Sequence, residues 1–421
     1  MNRTQQADIT IIGAGLAGLA CACHLHRAGV RIQVLEASDH VGGRIRTDIV
    51  AGHQLDRGFQ VFITGYPEAK QMLDYQQLHL QMFEPGAMIR WNKQFYRLVD
   101  PWRRPFASLP TLLSPVGTLG DKIRIDRLRK TVSSGTLEEL FDGPNITTLQ
   151  LLQQFGFSPQ IIGRFFRPFF GGIFLDNSLD SHANMMRFVF RMFANSDATL
   201  PKAGMQAIPQ QLANQLPPET IRFNCPVRSI ANGCIYLENG EVLVSPQTVV
   251  AVEGAALKQF IPDYPTVPGQ SVTCLYFTAP KAPFTQPYLV LNGEGSGVIN
   301  NLAVLSNVVP EYAPPDRALI SVSVLGNHAL EEILPTVKQE LHSWYGVQTE
   351  QWELLKHYQI PYALPRQHVE DFAKMRQLTA PLPPNVQICG DHTHHGSIQG
   401  ALESGRRAAE LALQLVPRFS A

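Results

Sequence analysis

The chain has 421 residues, of which 44% are hydrophobic and 17% charged, so it can bury a sizeable core and form more than one domain. Lysine plus arginine and aspartate plus glutamate each total 35, and the formal net charge is zero. This balance excludes the basic excess expected of a nucleic-acid-binding protein, so a small molecule is the expected partner. The six cysteines are sparse and lack redox or zinc spacing, which indicates free thiols in a reducing compartment.

The N-terminal segment imitates a secretory signal, because Arg3 precedes a run of apolar and small residues. Cleavage there would remove three glycines that have a more specific interpretation, given next. The sequence contains no run of 18 or more uncharged apolar residues, so we predict no transmembrane helix. The expected location is cytoplasmic, either free or in peripheral contact with a membrane.

The first chemical motif follows a β-branched run at residues 8–12 that predicts a strand. The motif GAGLAG comes next, then a helical pattern, then a second strand that ends at Glu36. This order is the fingerprint of a dinucleotide-binding fold: Gly13 permits the turn, Gly15 admits a pyrophosphate and Gly18 lets helix and strand pack. Phosphates would lie on the free N–H groups of the helix start. Glu36 would accept hydrogen bonds from ribose hydroxyls.

A second glycine-rich stretch, at residues 291–297, is followed by a strand pattern rather than a helix. It therefore predicts a hairpin turn and no second nucleotide site. The sequence also has Gly42, Gly43 and Arg44 shortly after Glu36. Bare backbone beside a guanidinium suits a diphosphate that the first glycine loop already holds.

These motifs resemble the flavin-containing amine oxidase superfamily, which includes monoamine and polyamine oxidases, protoporphyrinogen oxidase and phytoene desaturases. Residues 55–61, 200–209 and 224–227 also resemble family segments, although Ala203 replaces a family glycine. The C-terminal stretch at residues 390–410, GDHTHHGSIQGALESGRRAAE, resembles the family's last signature. The resemblance implies an α/β fold with a discontinuous Rossmann-type FAD-binding domain and a second, α+β substrate domain.

The resemblance also implies FAD as the cofactor and a set of FAD-binding residues: Gly13, Ala14, Gly15, Leu16, Ala17, Gly18, Glu36, Ala37, Gly42, Gly43, Arg44, Gly58, Phe59, Val227, Gly390, Asp391, Ser397, Ile398 and Gln399. Within this set, Val227 would contact the adenine, Arg44 the phosphates, and Asp391 the region between the pyrophosphate and the ribityl chain. Residues 397–400 would contact the edge of the flavin ring.

If both ends of the chain bind one FAD, the nucleotide domain must be discontinuous. We predict an FAD-binding domain from residues 1–65, 200–255 and 380–421. The substrate domain would comprise residues 66–199 and 256–379 and cover the flavin.

Three histidines, His392, His394 and His395, crowd the loop before the C-terminal helix. A zinc or iron site needs three or more convergent ligands, and the resemblance assigns the neighbouring Asp391 to FAD, so we predict no metal. Two interpretations stay open, namely acid–base catalysis by one histidine and structural hydrogen bonding around the loop. No catalytic residue is assigned beyond these three candidates.

Two stretches, 155–174 and 185–193, are rich in phenylalanine. They predict either a domain core or the lining of a site for a large apolar substrate. The run from Trp102 to Lys130 mixes basic and apolar residues, which predicts an amphipathic helix or a segment that rests on an anionic membrane.

The function follows from one departure from the family pattern. Amine oxidases carry an aromatic residue where this chain has Ser397, which argues against simple amine substrates. We expect an FAD-dependent oxidoreductase that dehydrogenates or isomerises a large hydrophobic substrate, polyene-like (carotenoid-like) or tetrapyrrole-like, by hydride transfer to flavin N5. The alternatives are an amine or amino-acid oxidase and a non-catalytic FAD-binding protein.

Overall fold

The computed structural model describes residues 7–104, 114–377 and 382–415. The strands in these residues are β1 (Ile9–Ile12), β2 (Ile32–Leu35), β3 (Thr47–Val50), β4 (His53–Asp56), β5 (Phe62–Ile63), β6 (Gln81–Met82), β7 (Gly86–Trp91), β8 (Gln94–Val99), β9 (Ala198–Leu200), β10 (Ile221–Arg222), β11 (Val227–Ala231), β12 (Cys234–Leu237), β13 (Val242–Val244), β14 (Gln247–Val250), β15 (Gly269–Ala279), β16 (Leu289–Asn292), β17 (Ile299–Val304), β18 (Ala318–Leu325), β19 (Glu353–Pro365) and β20 (Val386–Ile388).

The α-helices are α1 (Leu16–Arg27), α2 (Pro67–Met72), α3 (Tyr75–Leu78), α4 (Leu119–Ser133), α5 (Leu137–Phe141), α6 (Thr148–Gln154), α7 (Pro159–Ile161), α8 (Arg167–Phe174), α9 (Ala183–Asn195), α10 (Ala207–Ala213), α11 (Leu257–Phe260), α12 (Leu305–Val308), α13 (Leu330–Tyr345), α14 (Val369–Gln377) and α15 (Ile398–Leu415). A π-helical turn, Ile162–Phe166, joins α7 to α8. Short 3₁₀ turns occur at Gly254–Ala256, Pro310–Tyr312, Gly346–Gln351 and Asp391–Thr393.

A parallel sheet forms the nucleotide-binding half of the fold, with the strand order β10-β2-β1-β14-β20. Ile9 pairs with Ile32 on one side and with Gln247 on the other, so β1 lies at the centre of the sheet. Helix α1 packs against α15, and a Cβ on Gly405 would lie only 2.2 Å from the Ala17 carbonyl oxygen. The two ends of the chain therefore meet in one layered unit, which confirms the predicted α/β fold with a Rossmann-type sheet.

All five strands of this sheet lie within the segments 1–65, 200–255 and 380–421. The division of the chain into two domains at these boundaries stays a prediction, since a strand assignment alone does not define a domain.

A second, mixed sheet has the strand order β19-β15-β18-β17-β16-β7-β8. Its pairs are antiparallel except for β16 with β7. Strands β16 and β17 form the hairpin predicted for the glycine-rich stretch at residues 291–297. Helix α13 covers one face of the sheet, and its residues Val337 and Leu341 belong to the same buried cluster as Leu275 and Phe277 of β15. The opposite face turns toward the interior of the molecule, where it contributes to a large cavity.

Helices α4 to α9 form a layer whose core is aromatic, because Phe166, Phe170, Phe174 and Phe188 are buried within it. Of the mixed basic and apolar run from Trp102 to Lys130, residues 105–113 lie outside the described residues. The later part belongs to α4, which begins with a capping box between Thr118 and Asp121. Within the described ranges, no helix combines the length and the apolar character needed to cross a bilayer.

Candidate functional site

The glycine loop after β1 is shaped by backbone contacts that a side chain would block. Gly13 has a φ of +104°, and a Cβ there would lie 2.6 Å from the Ala251 carbonyl oxygen. A Cβ on Gly18 would lie 2.0 Å from the Gly13 carbonyl oxygen. Gly15 differs, since nothing lies within 4 Å of its Cβ position and it faces a cavity. The loop thus presents open backbone at the start of α1, where N–H groups favour an anion.

Glu36 follows β2 and is hydrogen-bonded to the glycine loop. It is 8% exposed, and its carboxylate accepts hydrogen bonds from the Ala14 N–H (2.7 Å) and from the Ser38 N–H (2.9 Å). The Ser38 hydroxyl also donates to it, at 2.7 Å. Glu36 still lines the cavity, so its oxygens can accept further hydrogen bonds from hydroxyl groups.

The second glycine turn docks directly on the first. The Gly42 N–H donates to the Ala14 carbonyl oxygen at 2.9 Å. Arg44 extends from this turn and donates to the Asp391 carboxylate at 2.7 Å and to the Ala363 carbonyl oxygen at 2.8 Å. Because Asp391 is 5% exposed, this ion pair joins the N-terminal and C-terminal motifs inside the protein.

The C-terminal motif turns sharply before α15. Gly390 has a φ of +155°, and a Cβ there would lie 2.3 Å from the His392 ring. The Ser397 hydroxyl accepts from the Gly400 N–H at 3.0 Å and so caps α15. Gln399 points elsewhere, since its side-chain oxygen accepts from the Glu68 N–H at 3.0 Å and thereby positions α2.

One continuous cavity of about 1170 Å³ joins these motifs. It exceeds the roughly 300–1,000 Å³ typical of a site for one small ligand. The cofactor-site residues predicted from the sequence that line it are Gly13, Gly15, Leu16, Ala17, Glu36, Ala37, Gly42, Gly43, Arg44, Gly58, Phe59, Val227, Gly390, Asp391, Ser397 and Ile398. Ala14, Gly18 and Gln399 do not line it and act through the loop and helix contacts described above.

The other half of the cavity is apolar and was not predicted residue by residue. Phe165 and Phe169 stack with ring centroids 5.3 Å apart, and both line the cavity together with Phe188 and Phe193. The phenylalanine-rich stretches therefore supply both a core and a cavity wall, and the class of molecule that the wall binds stays a prediction. Tyr66, Asn301 and Ser323 also line this half, and no sequence motif marks them.

None of the three candidate histidines is among the described residues that line the cavity. His392 is 3% exposed; burial is the main cause that lowers its pKa to about 4, and neither ring nitrogen has a hydrogen-bond partner in the described part of the chain. The His394 ring donates to Glu403 at 3.0 Å. His395 packs against Phe141 and Phe188 and bonds the Ser397 hydroxyl at 3.0 Å. Structural hydrogen bonding and packing account for these contacts.

His394, His395 and Glu403 bring ligand atoms within 4.8 Å of one another, a grouping that could hold a metal ion. The Glu403 carboxylate already accepts from His394 and, at 2.7 Å, from Arg407. Although burial favours the protonated acid, the hydrogen bond from His394 and the nearby Arg407 guanidinium hold the pKa of Glu403 at about 2. A metal ion would have to replace the hydrogen bond between His394 and Glu403 and displace Arg407, so the absence of a metal stays our prediction.

Comparison with known proteins decides the family. The model of the flavin-containing amine oxidoreductases matches residues 16–413, nearly the whole chain. The protein belongs to this family. Membership places it among FAD-dependent oxidoreductases, as the sequence motifs predicted.

Individual relatives match over shorter stretches. The chain is 37% identical to human lysine-specific histone demethylase 2 over 95 residues, covering 22% of this chain and 11% of the relative. It is 28% identical to coproporphyrinogen III oxidase of Propionibacterium freudenreichii subsp. freudenreichii over 167 residues, covering 39% of this chain and 31% of the relative. It is 33% identical to 4,4'-diapolycopene oxygenase of Methylomonas sp. over 104 residues, covering 21% and 20%. The matched segments thus span less than a third of each relative's length.

Among solved structures, putrescine oxidase bound to putrescine has the same fold. Its TM-score is 0.70 at 18% identity, and the match covers 97% of this chain and 99% of that chain. At this level of identity, the likeness establishes the fold alone.

FAD is the cofactor, and the residues in place fit it. The open backbone at Gly15 and the Arg44 guanidinium suit a diphosphate, while Glu36 suits ribose hydroxyls. When bound, the flavin supplies the two-electron chemistry by accepting a hydride. The chain's own contribution is to bind, orient and exclude water around the site.

Proposed function

We propose that the protein dehydrogenates or isomerises a large apolar substrate, of the polyene or tetrapyrrole class, by hydride transfer to flavin N5. The observation that carries the proposal is the phenylalanine-lined half of the cavity, which is continuous with the predicted cofactor half. A site of this composition binds its ligand by removing apolar surface from water. It suits a substrate whose reaction depends on its orientation at the flavin rather than on an acid or base from the protein.

The acids in the apolar half of the cavity argue against a protonated amine as the substrate. Two acids line its apolar half, and each has an arginine partner: Glu84 lies 3.2 Å from Arg104, and Asp100 lies 3.5 Å from Arg129. A protonated amine needs a carboxylate or an aromatic cage to replace its hydration shell. Ser397 also stands where the related amine oxidases carry an aromatic residue. An amine or amino-acid oxidase is therefore the second candidate, and it is favoured only because the family consists of flavin-containing amine oxidoreductases.

The experiment that separates the candidates is anaerobic reduction of the bound flavin. We expect no bleaching of the flavin spectrum by a panel of small amines and amino acids, and bleaching by a polyene or a porphyrinogen offered in detergent micelles. Clear reduction by a small amine would overturn the proposal. If nothing in either panel reduces flavin that dithionite reduces readily, dehydrogenation and amine oxidation are both overturned. Because an isomerisation is redox-neutral and leaves no net bleaching, chromatography of the polyene for isomerised product then separates an isomerase from the third candidate, a non-catalytic FAD-binding protein. Mass spectrometry of any co-purified ligand gives an independent reading of the substrate class.

Helix α4 bears on how such a substrate arrives. Lys122, Ile125 and Arg129 on α4 line the cavity, while Leu119 and Ile123 on the same helix are 69% and 74% exposed. Exposed apolar residues beside basic ones are typical of a helix that rests on an anionic membrane. The proposal therefore includes cytoplasmic protein in peripheral contact with a membrane, from which the substrate would enter.

Vesicle flotation tests this contact. We expect the holoprotein to float with vesicles that contain about a third phosphatidylserine, and the double variant L119E/I123E to remain in solution. The matched control is V347E, because Val347 is also 74% exposed but lies in a 3₁₀ turn far along the chain, at Gly346–Gln351. Equal flotation of all three proteins would remove the membrane from the proposal and leave the reaction untouched.

A further inference from the structure

The apolar half of the cavity contains a polar patch formed by Asn301 on β17 and Ser323 on β18. The two residues are direct partners in the antiparallel pair, so their side chains stand on the same face of the sheet. They are 3% and 4% exposed, and both line the cavity, beside Leu289 and Leu291. Polar side chains in such a wall demand a partner, since burial removes them from water.

The hydrogen bonds within the patch leave two donors without an acceptor in the described part of the chain. The Asn301 side-chain oxygen accepts from the Asn300 amide nitrogen at 2.9 Å, and Asn300 also donates to the Pro168 carbonyl oxygen at 3.1 Å. This fixes the Asn301 amide nitrogen toward Ser323, whose oxygen accepts from it at 3.3 Å. No described residue accepts from the Ser323 hydroxyl or from the second N–H of Asn301. Both groups can therefore donate to a ligand.

We propose that this patch binds an acceptor oxygen, a carbonyl or a hydroxyl, on an otherwise apolar substrate. This inference rests on the proposed function, because it concerns the same cavity and the same apolar class of substrate. A ligand oxygen at the patch takes up the two donors. A hydrocarbon of the same shape leaves them unpaired or strips away the water that serves them. The patch thus selects oxygenated apolar molecules over plain hydrocarbons and fixes their register along the cavity.

A binding comparison with two unreactive probes tests the inference. The probes are farnesylacetone, an isoprenoid ketone, and the hydrocarbon in which a CH₂ replaces its carbonyl group. Each is titrated into the FAD-loaded protein in dilute detergent, and binding is followed by the change in flavin absorbance and fluorescence. We expect the ketone to bind about 10-fold more tightly than the hydrocarbon, the ratio that one or two well-made hydrogen bonds provide.

Three variants locate the preference. S323A should lower ketone affinity about 5- to 10-fold, and hydrocarbon affinity should stay the same or rise because the group that the hydrocarbon leaves unpaired is gone. S323T keeps a hydroxyl and should retain the preference. The matched control is S321A, because Ser321 lies two residues earlier on the same face of β18, is 1% exposed and does not line the cavity. Flavin content and thermal unfolding check that each variant is folded.

The outcomes separate this inference from the proposed function. Equal binding of the two probes to the unaltered protein, or a ketone preference that survives in S323A, would overturn the polar patch while an apolar site stands. Failure of both probes to bind a flavin-loaded protein would overturn the apolar site itself, and the patch with it.

Discussion

The two halves of the cavity are built from different parts of the chain. The half that carries the predicted cofactor residues, called the nucleotide half here, is shaped mainly by backbone atoms. A Cβ on Gly13 or on Gly18 would lie within 2.6 Å of a carbonyl oxygen. The apolar half, called the substrate half here after the proposed function, is shaped mainly by side chains. Phenylalanines line it, with a polar patch at Asn301 and Ser323. Backbone geometry tolerates almost no substitution, whereas side chains can be exchanged while the scaffold stays. One half can therefore keep FAD while the other half changes substrate.

The largest effect on flavin binding should come from closing the backbone approach in the nucleotide half. In G18A the new Cβ would lie 2.0 Å from the Gly13 carbonyl oxygen and 3.1 Å from the Ala251 Cβ, so the loop or α1 must move. We expect a loss of more than about tenfold in flavin affinity, because overpacking and loop distortion cost about 1–3 kcal/mol. Flavin absorbance per mole of purified protein measures this.

The control for this variant is G163A in the π-helical turn, where nothing lies within 4 Å of the Cβ position. G163A should keep the flavin content of the unaltered protein. A G18A protein that binds FAD normally would show that the loop has freedom that the close contacts rule out.

The next effect separates core from cavity wall in the substrate half. Phe170 is completely buried in the aromatic core, while its neighbour Phe169 lines the cavity and is only partly buried. F170A should destabilise the protein by about 3–5 kcal/mol, as large-to-small core substitutions do. F169A should cost much less stability and instead weaken apolar ligand binding. Chemical denaturation and probe titration on both variants check this, and equal losses of stability would contradict the division.

A smaller effect concerns Asp56, which lies outside the cavity lining. Asp56 is 2% exposed, and its carboxylate accepts hydrogen bonds from the Thr47 hydroxyl (2.6 Å), the Met205 N–H (2.9 Å) and the Tyr312 hydroxyl (3.3 Å). Burial outweighs these bonds and raises the pKa of Asp56 from 3.8 to about 6. Between these pH values, the folded protein keeps a proton that the unfolded chain has released. The Asp56 contribution to stability is therefore full below about pH 4 and falls as the pH rises toward 6.

The test is the pH dependence of unfolding in D56N, which removes the titrating group. The unaltered protein should lose up to about 2–3 kcal/mol relative to D56N between pH 4 and 7. D263N serves as control, because Asp263 is exposed, and it should follow the unaltered curve. Parallel curves for all three proteins would show that the pKa of Asp56 is the same in the folded protein as in the unfolded chain.

The same contrast explains what the sequence could predict. The nucleotide loop was recognisable because its residues lie close together in sequence and each glycine has a backbone task that its spacing reveals. The substrate half was not, because Phe169 and Phe170 are adjacent in sequence yet face different environments. Asn301 and Ser323 meet only through the register of β17 with β18. The three clustered histidines are conspicuous in the sequence, although none of them is among the described residues that line the cavity.

The smallest expected effect concerns that histidine loop. In the chain as described, Glu403 is held by His394 at 3.0 Å and by Arg407 at 2.7 Å, so its charge is already balanced. We expect purified protein to contain far less than one metal ion per chain and to keep its flavin and stability in EDTA. H394Q should change flavin content by less than about twofold, because a glutamine amide can still donate to Glu403. Stoichiometric zinc whose removal releases the flavin would reverse this expectation. It would make the loop a third part of the site, in which side chains rather than backbone hold the cofactor end together.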